Sequence, residues 1–171
     1  MIEDNYRQYG IVQNAKNNNG ANETIEVIDT VSVFDTETME ESVRIVKSQI
    51  PVLKTPELMP VFGDCHEIND LDSKYECSNK NLLTFIYSNL TYPKEAKDAG
   101  VEGMNVVQFI VAPSGNIMNP KIVKSIGHGT NEVIMSVMDE MTKKPMWTSG
   151  RQEGQNVATQ FTLPIKFKLE G

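Results

Sequence analysis

The stretch VATQFTLPIKFKL, from Val157 to Leu169, decides the fold. Its odd positions are apolar except for Thr159: Val157, Phe161, Leu163, Ile165, Phe167 and Leu169. Its even positions, Ala158, Gln160, Thr162, Pro164, Lys166 and Lys168, are small, polar or charged. Strict alternation over that length predicts a long strand with one buried face. Pro164 sits inside it, and a proline cannot donate to a ladder hydrogen bond, so the strand is expected at a sheet edge. The half before the proline keeps its donors and acceptors, while the proline blunts the other half.

Upstream, Gly103 to Val111 (GMNVVQFIV) reads as a strand, Pro113-Ser114-Gly115-Asn116 as a turn and Ile117 to Ile126 as a second strand, together a hairpin. From Asn131 to Met141, Val133, Ile134, Val137, Met138 and Met141 form one face of a helix, with Thr130 as its expected cap. The methionines Met135, Met138 and Met141 read as adaptable core filler. A second amphipathic helix runs from Ser78, as N-cap, to Leu90, with Leu82, Leu83, Ile86 and Leu90 at helical spacing and Tyr92-Pro93 as its stop. Lys94 to Ala99 adds a short turn of helix closed by Gly100. Strands and helices in this order predict an α+β domain.

The chain has 171 residues, room for one ordinary domain and an appendage. Acidic residues exceed basic ones by five before Pro60, out of a net charge of -7, whereas nine of the twelve aromatics follow it. The core therefore belongs to the second part, residues 61–171, and residues 1–60 form an acidic spacer. Within the spacer, Met1 to Asn22 is Asn- and Gln-rich without an apolar period and is expected to be disordered. Residues 24–46 alternate β-branched and polar side chains around DTETME and read either as a hairpin, which needs docking to be stable, or as an extended tether. SQIPVLKTPELMPVFGD, with Pro51, Pro56 and Pro60, reads as a stiff extended linker.

The acidic balance argues against nucleic acid or anionic lipid held on a basic surface. No stretch reaches the roughly 20 apolar residues of a membrane span, and the polar start is unlike a signal peptide. GxSxG, HExxH, GxGxxG and Walker patterns are absent from the sequence, which offers no support for an enzyme. Cys65 and Cys77 leave three readings: a disulfide, two free thiols, or zinc completed by His66 and His128. Tight CxxC-type pairs are missing, so zinc ranks last, and no cofactor is expected. A disulfide would close a short loop, be worth about 3 kcal/mol in the chain-entropy model, and pin the linker to the first helix. His128, between two glycines, reads as a solvated loop residue. Trp147 reads as an anchor for the helix-to-strand connection or as an exposed binding hot spot.

Tyr92-Pro93, Ala96, Gly100, Glu102-Gly103, VVQFIVAPSGNI, Ser125-Ile126-Gly127, Pro145, Trp147, Gly150, Gly154 and the closing FTLPIKFKL keep an order and spacing that resemble the TonB C-terminal domain family. The resemblance covers Tyr92 to Leu169. PVFGDC, Cys77 and LLTFIYSNLTYP also resemble energy transducers with a cysteine-bounded lead-in (65–77). It implies a periplasmic domain with a three-stranded antiparallel sheet and two main helices on one face. It implies as partner the TonB box, a short peptide of outer-membrane transporters that adds as a strand to the terminal edge, in support of nutrient uptake.

On this chain Asn156, Val157, Ala158, Thr159, Gln160, Phe161, Thr162 and Leu163 are expected to make the contact, through main-chain bonds that ask little of side-chain identity. Asn105 departs from the family's apolar pattern and implies either one satisfied polar group or a frayed strand end. Transducers of this family also reach a proton-driven motor through an N-terminal membrane helix, which the sequence lacks. An excised periplasmic piece is the expectation. The alternative is a soluble scaffold or adaptor whose edge self-associates, including as a weak homodimer.

Overall fold

A computed structural model describes the backbone of residues 24–34 and 41–170, and side chains from Ile50 onward. The stretch from Met1 to Asn22, expected to be disordered, lies outside the described residues.

Strand β4 (Gly103–Val111) pairs antiparallel with β5 (Ile117–Lys124) and, on its other side, with β8 (Gln155–Phe167). These are the three antiparallel strands expected to make up the whole sheet. Three more join them: β1 (Thr24–Phe34), β2 (Glu41–Leu53) and β7 (Gly150–Gln152), in the order β1-β2-β8-β4-β5 with β7 also on β8. β1 and β2 form an antiparallel hairpin in which Thr24 faces Pro51 and Phe34 faces Glu41. β2 continues to Leu53 and there runs parallel to β8, with Val52 beside Ala158 and Leu53 beside Thr159. The sheet is larger than expected because residues of the proline-bearing segment also pair.

That segment is extended but docked. Leu58 bridges Arg151, and β3 (Val61–Phe62) pairs with β6 (Trp147–Thr148). Pro56, Pro60, Val61 and Phe62 are buried. Prolines at 51, 56 and 60 hold the chain extended while apolar neighbours anchor it.

Helix α1 spans Leu71–Asn89 and begins seven residues before the expected Ser78. Its cap is Asp70, whose carboxylate accepts from the Ser73 amide at 2.9 Å and hydroxyl at 2.7 Å. Those two bonds hold the Asp70 carboxyl below its ordinary value. Ser78 lies inside the helix, where its buried hydroxyl accepts the Phe62 amide at 2.7 Å, as the Tyr75 hydroxyl accepts that of Met59 at 3.0 Å. Two side chains of α1 thus satisfy the backbone of the docked segment. Cys65, in a 3-10 turn (Gly63–Glu67), is disulfide-bonded to Cys77 on α1, with Cα atoms 5.9 Å apart. Among the described residues no cluster of three or more acidic, His or Cys side chains could hold a metal ion.

Helix α2 spans Lys94–Asp98 and α3 spans Thr130–Thr142. Thr130 is the first residue of α3 and not its cap, which is Gly129 at φ 77°. The Thr130 hydroxyl instead donates to the Gly127 carbonyl at 2.6 Å.

The core lies on one face of the sheet. Leu82 and Ile86 of α1 and Ile134, Val137, Met138 and Met141 of α3 meet Val107, Phe109 and Val111 of β4 and Phe161, Leu163, Ile165 and Phe167 of β8. From Thr159 to Phe167 the odd positions of β8 are the buried ones, as the alternation required, while Val157 is half-buried and Ala158 is buried on the reverse face. Trp147 is 6% exposed and joins the layers: its ring lies 5.2 Å from Phe62, 5.7 Å from Phe109 and 5.0 Å from Phe161, and its indole N–H reaches the Met141 sulfur at 3.4 Å. It is an anchor. Gly115, at φ 85°, is required beneath it, since a Cβ there would lie 2.2 Å from the Trp147 carbonyl oxygen.

Asn105 is fully buried, and its amide donates to the Thr130 hydroxyl at 3.1 Å and the Asn131 side-chain oxygen at 3.0 Å. It ties the first strand to the start of α3, while its own oxygen has no partner. On the reverse face a smaller cluster gathers Val52, Ile110 and Ala158, with Ile50 and Met118 against it.

Candidate functional site

The eight residues expected to receive a partner strand fall into three groups. Asn156 and Val157 face Arg151 and Gly150 of β7. That hairpin is close-packed: a Cβ on Gly150 would meet the Thr159 hydroxyl at 2.4 Å and the Leu58 carbonyl at 3.0 Å. Ala158 and Thr159 lie beside Val52 and Leu53 of β2, on the side of β8 away from β4. Gln160, Phe161, Thr162 and Leu163 have β4 on one side, and among the described residues no strand pairs with them on the other.

Which backbone groups point outward follows from one side chain. The Tyr87 hydroxyl, on α1, accepts from the Lys166 N–H and donates to the Lys166 C=O, both at 3.2 Å. Lys166 therefore turns both backbone groups away from β4. The register between β8 and β4 is unbroken from Thr159 to Phe167, and in an antiparallel ladder the groups alternate sides residue by residue. Pro164, Thr162 and Gln160 consequently aim theirs outward as well. The open edge offers one N–H donor, from Thr162, since the parallel pairing of Leu53 beside Thr159 gives the Gln160 N–H to the Leu53 carbonyl, and three acceptors, from Gln160, Thr162 and Pro164. Phe161 and Leu163 bond inward and bury their side chains in the core.

This edge is bounded at both ends. Leu53 closes it beside Thr159, and Tyr87 closes it at Lys166. Burial pushes the Tyr87 phenol above its ordinary value, against a smaller downward pull from the Lys166 amide. On the even face the Gln108 amide reaches the Thr162 hydroxyl at 3.5 Å, so the side chains flanking the open groups are neutral and half-exposed. The arrangement suits main-chain hydrogen bonding to an extended peptide.

Neither boundary is evident in the sequence. Tyr87 follows Ile86 at a position the helical spacing leaves outside the core face, and only the parity of β8 draws attention to Lys166. His128 lies in the loop before α3 at φ 55°, 3.7 Å from the Glu95 carboxylate and far in sequence from Cys65 and Cys77, which are bonded to each other.

Residues 88–169 match the family described as Gram-negative bacterial TonB protein C-terminal. Over this segment the chain is similar to the TonB C-terminal family. No curated protein matches the chain significantly. Among solved structures, a Helicobacter pylori TonB C-terminal domain is 24% identical, over 55% of this chain and 85% of that one, with a TM-score of 0.40. A Pseudomonas aeruginosa TonB C-terminal domain is also 24% identical, over 48% and 80%, with a TM-score of 0.38. The family match begins within α1 and closes two residues past β8, so it takes in the whole of the open edge. The described residues contain no helix long and apolar enough to cross a membrane.

Proposed function

We propose that this TonB-type domain is the periplasmic binding module of an energy transducer and captures the TonB box of an outer-membrane transporter as an added strand on β8. The observation that carries this reading is the open run from the Gln160 carbonyl to Pro164, whose outward groups have the spacing of a strand and are paired with no strand among the described residues. The bonds are main-chain bonds, so one module can serve boxes of different sequence.

A run with one donor and three acceptors is short for a stable complex. Its affinity is expected in the micromolar range, near 8 kcal/mol of binding free energy. Weak grip suits a device that must release its cargo receptor after each pull. In this reading the acidic residues 1–60 are the spacer between the module and the inner membrane, where a helix belonging to a longer protein would meet the proton-driven motor.

The test is a titration of the isotope-labelled chain with a synthetic TonB-box peptide, followed by amide shifts. Perturbations should centre on Gln160 and Thr162. Perturbations confined to α1, with β8 silent, would overturn the reading. The same edge can pair with a second copy of the chain, which sedimentation over a concentration series distinguishes.

A further inference from the structure

β2 occupies part of the edge that a partner strand would need. We infer that residues 50–53 are an internal competitor: the end of β2 and an incoming transporter strand exclude one another over Ala158 and Thr159, and full docking requires β2 to leave. The inference rests on the docking reading above and adds to it a built-in inhibitor.

Four observations support it. First, β2 lies on β8 on the side away from β4, which is the side of the open edge. Any strand that extends past Gln160 toward the amino end of β8 meets Leu53 beside Thr159 and Val52 beside Ala158. Second, the contact is small. It comprises two residue pairs, whereas β1 and β2 are joined by eleven, so the hairpin can detach from the sheet as one body while staying paired within itself. Pro51, at the near end, has no N–H to contribute.

Third, what Val52 buries is separate from the main core. Val52 is 8% exposed against Ile110 and Ala158 on the reverse face, with Ile50 and Met118 beside them, whereas the main core lies on the helical face. Its removal leaves the helical face intact. Fourth, the docked segment imitates a ligand: an extended stretch between prolines 51 and 56, added to an existing strand through Val52 and Leu53.

The consequence follows from population arithmetic. If β2 is docked nine-tenths of the time and a full-length strand needs it absent, the apparent affinity is about tenfold weaker than the intrinsic one. Conversely, a bound strand holds β2 off the sheet, so docking is reported to the spacer.

The experiment compares the full chain with its Val52→Lys variant, each titrated with a TonB-box peptide and each measured for amide exchange without peptide. In the free proteins the Ala158 amide should be protected in the parent and lose protection in the variant, while those of Phe161 and Leu163, bonded toward β4, stay protected in both. With peptide, the variant should bind about tenfold more tightly. Its perturbations should spread from Gln160 and Thr162 into Ala158, and in the parent Val52 and Leu53 should shift as the peptide binds. Equal affinities, with Val52 and Leu53 silent in a parent that does bind, would overturn the competitor while leaving the docking reading standing. Binding by neither protein would overturn both. Loss of protection at Phe161 and Leu163 in the variant would make Val52 a core residue, and the competitor would fall on that ground.

Discussion

The two sides of the central sheet are built differently. β5 is closed to company by its own sequence: its register with β4 shifts twice, Asn119 sits at φ 51°, Pro120 lacks a donor, and Lys121 and Lys124 stand exposed. Bulges, prolines and lysines are the usual devices that keep an edge from recruiting strands. β8 keeps nine consecutive pairs with β4, and over Gln160–Pro164 it presents neutral, evenly spaced groups. Among the described residues its breaks are Pro164, Tyr87 at one end and Leu53 at the other. One edge is blocked along its length, the other is trimmed to a defined length.

The comparison can be broken at several strengths. The largest effect is expected for Phe161→Ala, which removes the ring beneath Trp147 and Phe109 on the inward side of β8. Stability should fall by about 3–5 kcal/mol in chemical denaturation. A loss below about 1 kcal/mol would mean that the inner face does not hold the outer edge in place.

Next is the disulfide. Replacing Cys65 and Cys77 together by serine should cost about 3 kcal/mol, read by thermal unfolding with and without reductant. Amides around Phe62 and Tyr87 should shift while those of β5 stay put. Third, Thr162→Pro removes the outward donor and no main-chain bond to β4, giving up only the long side-chain contact with Gln108. The TonB-box peptide should bind at least about tenfold more weakly, which is about 1.4 kcal/mol, to a protein of nearly unchanged stability. Val123→Lys, on the exposed side of β5, should leave binding untouched; equal losses from both variants would erase the distinction between the edges.

The smallest effect concerns Tyr87→Phe. It frees the Lys166 groups, so the peptide footprint should lengthen to Lys166, at a stability loss of about 0.5–1 kcal/mol. The variant also changes the alkaline limb. The folded phenol titrates above its unfolded counterpart, so its contribution is complete below the unfolded value and is lost as pH rises through the folded one. Parent and variant should therefore converge in stability above about pH 10.

What the sequence disclosed, and what it hid, follows from the range of the interactions. The alternation in Val157 to Leu169 is a local pattern, and it located both the strand and its buried face. Gly103 to Val111 is bounded correctly for the same reason. The start of α1 escapes the apolar pattern because Leu71 to Cys77 is mostly polar and faces solvent; the Asp70-to-Ser73 spacing is the available sign. Ser78 misleads because its hydroxyl serves the Phe62 amide, sixteen residues away in sequence. The docking of Val52 beside Ala158 joins residues more than a hundred positions apart, and no local pattern encodes it. The candidate edge was thus legible as a strand, and its two limits were not.

The Cys65–Cys77 bond has a mechanical meaning. Tension entering at Phe62 crosses from one sulfur to the other and passes directly into α1, so the eleven residues between the cysteines stay outside the load path. Stretched out, the same interval would lengthen the chain by about 40 Å. With the sulfurs joined, that slack is withheld, and a pull on the lead-in becomes movement of the domain instead of unravelling of its first helix.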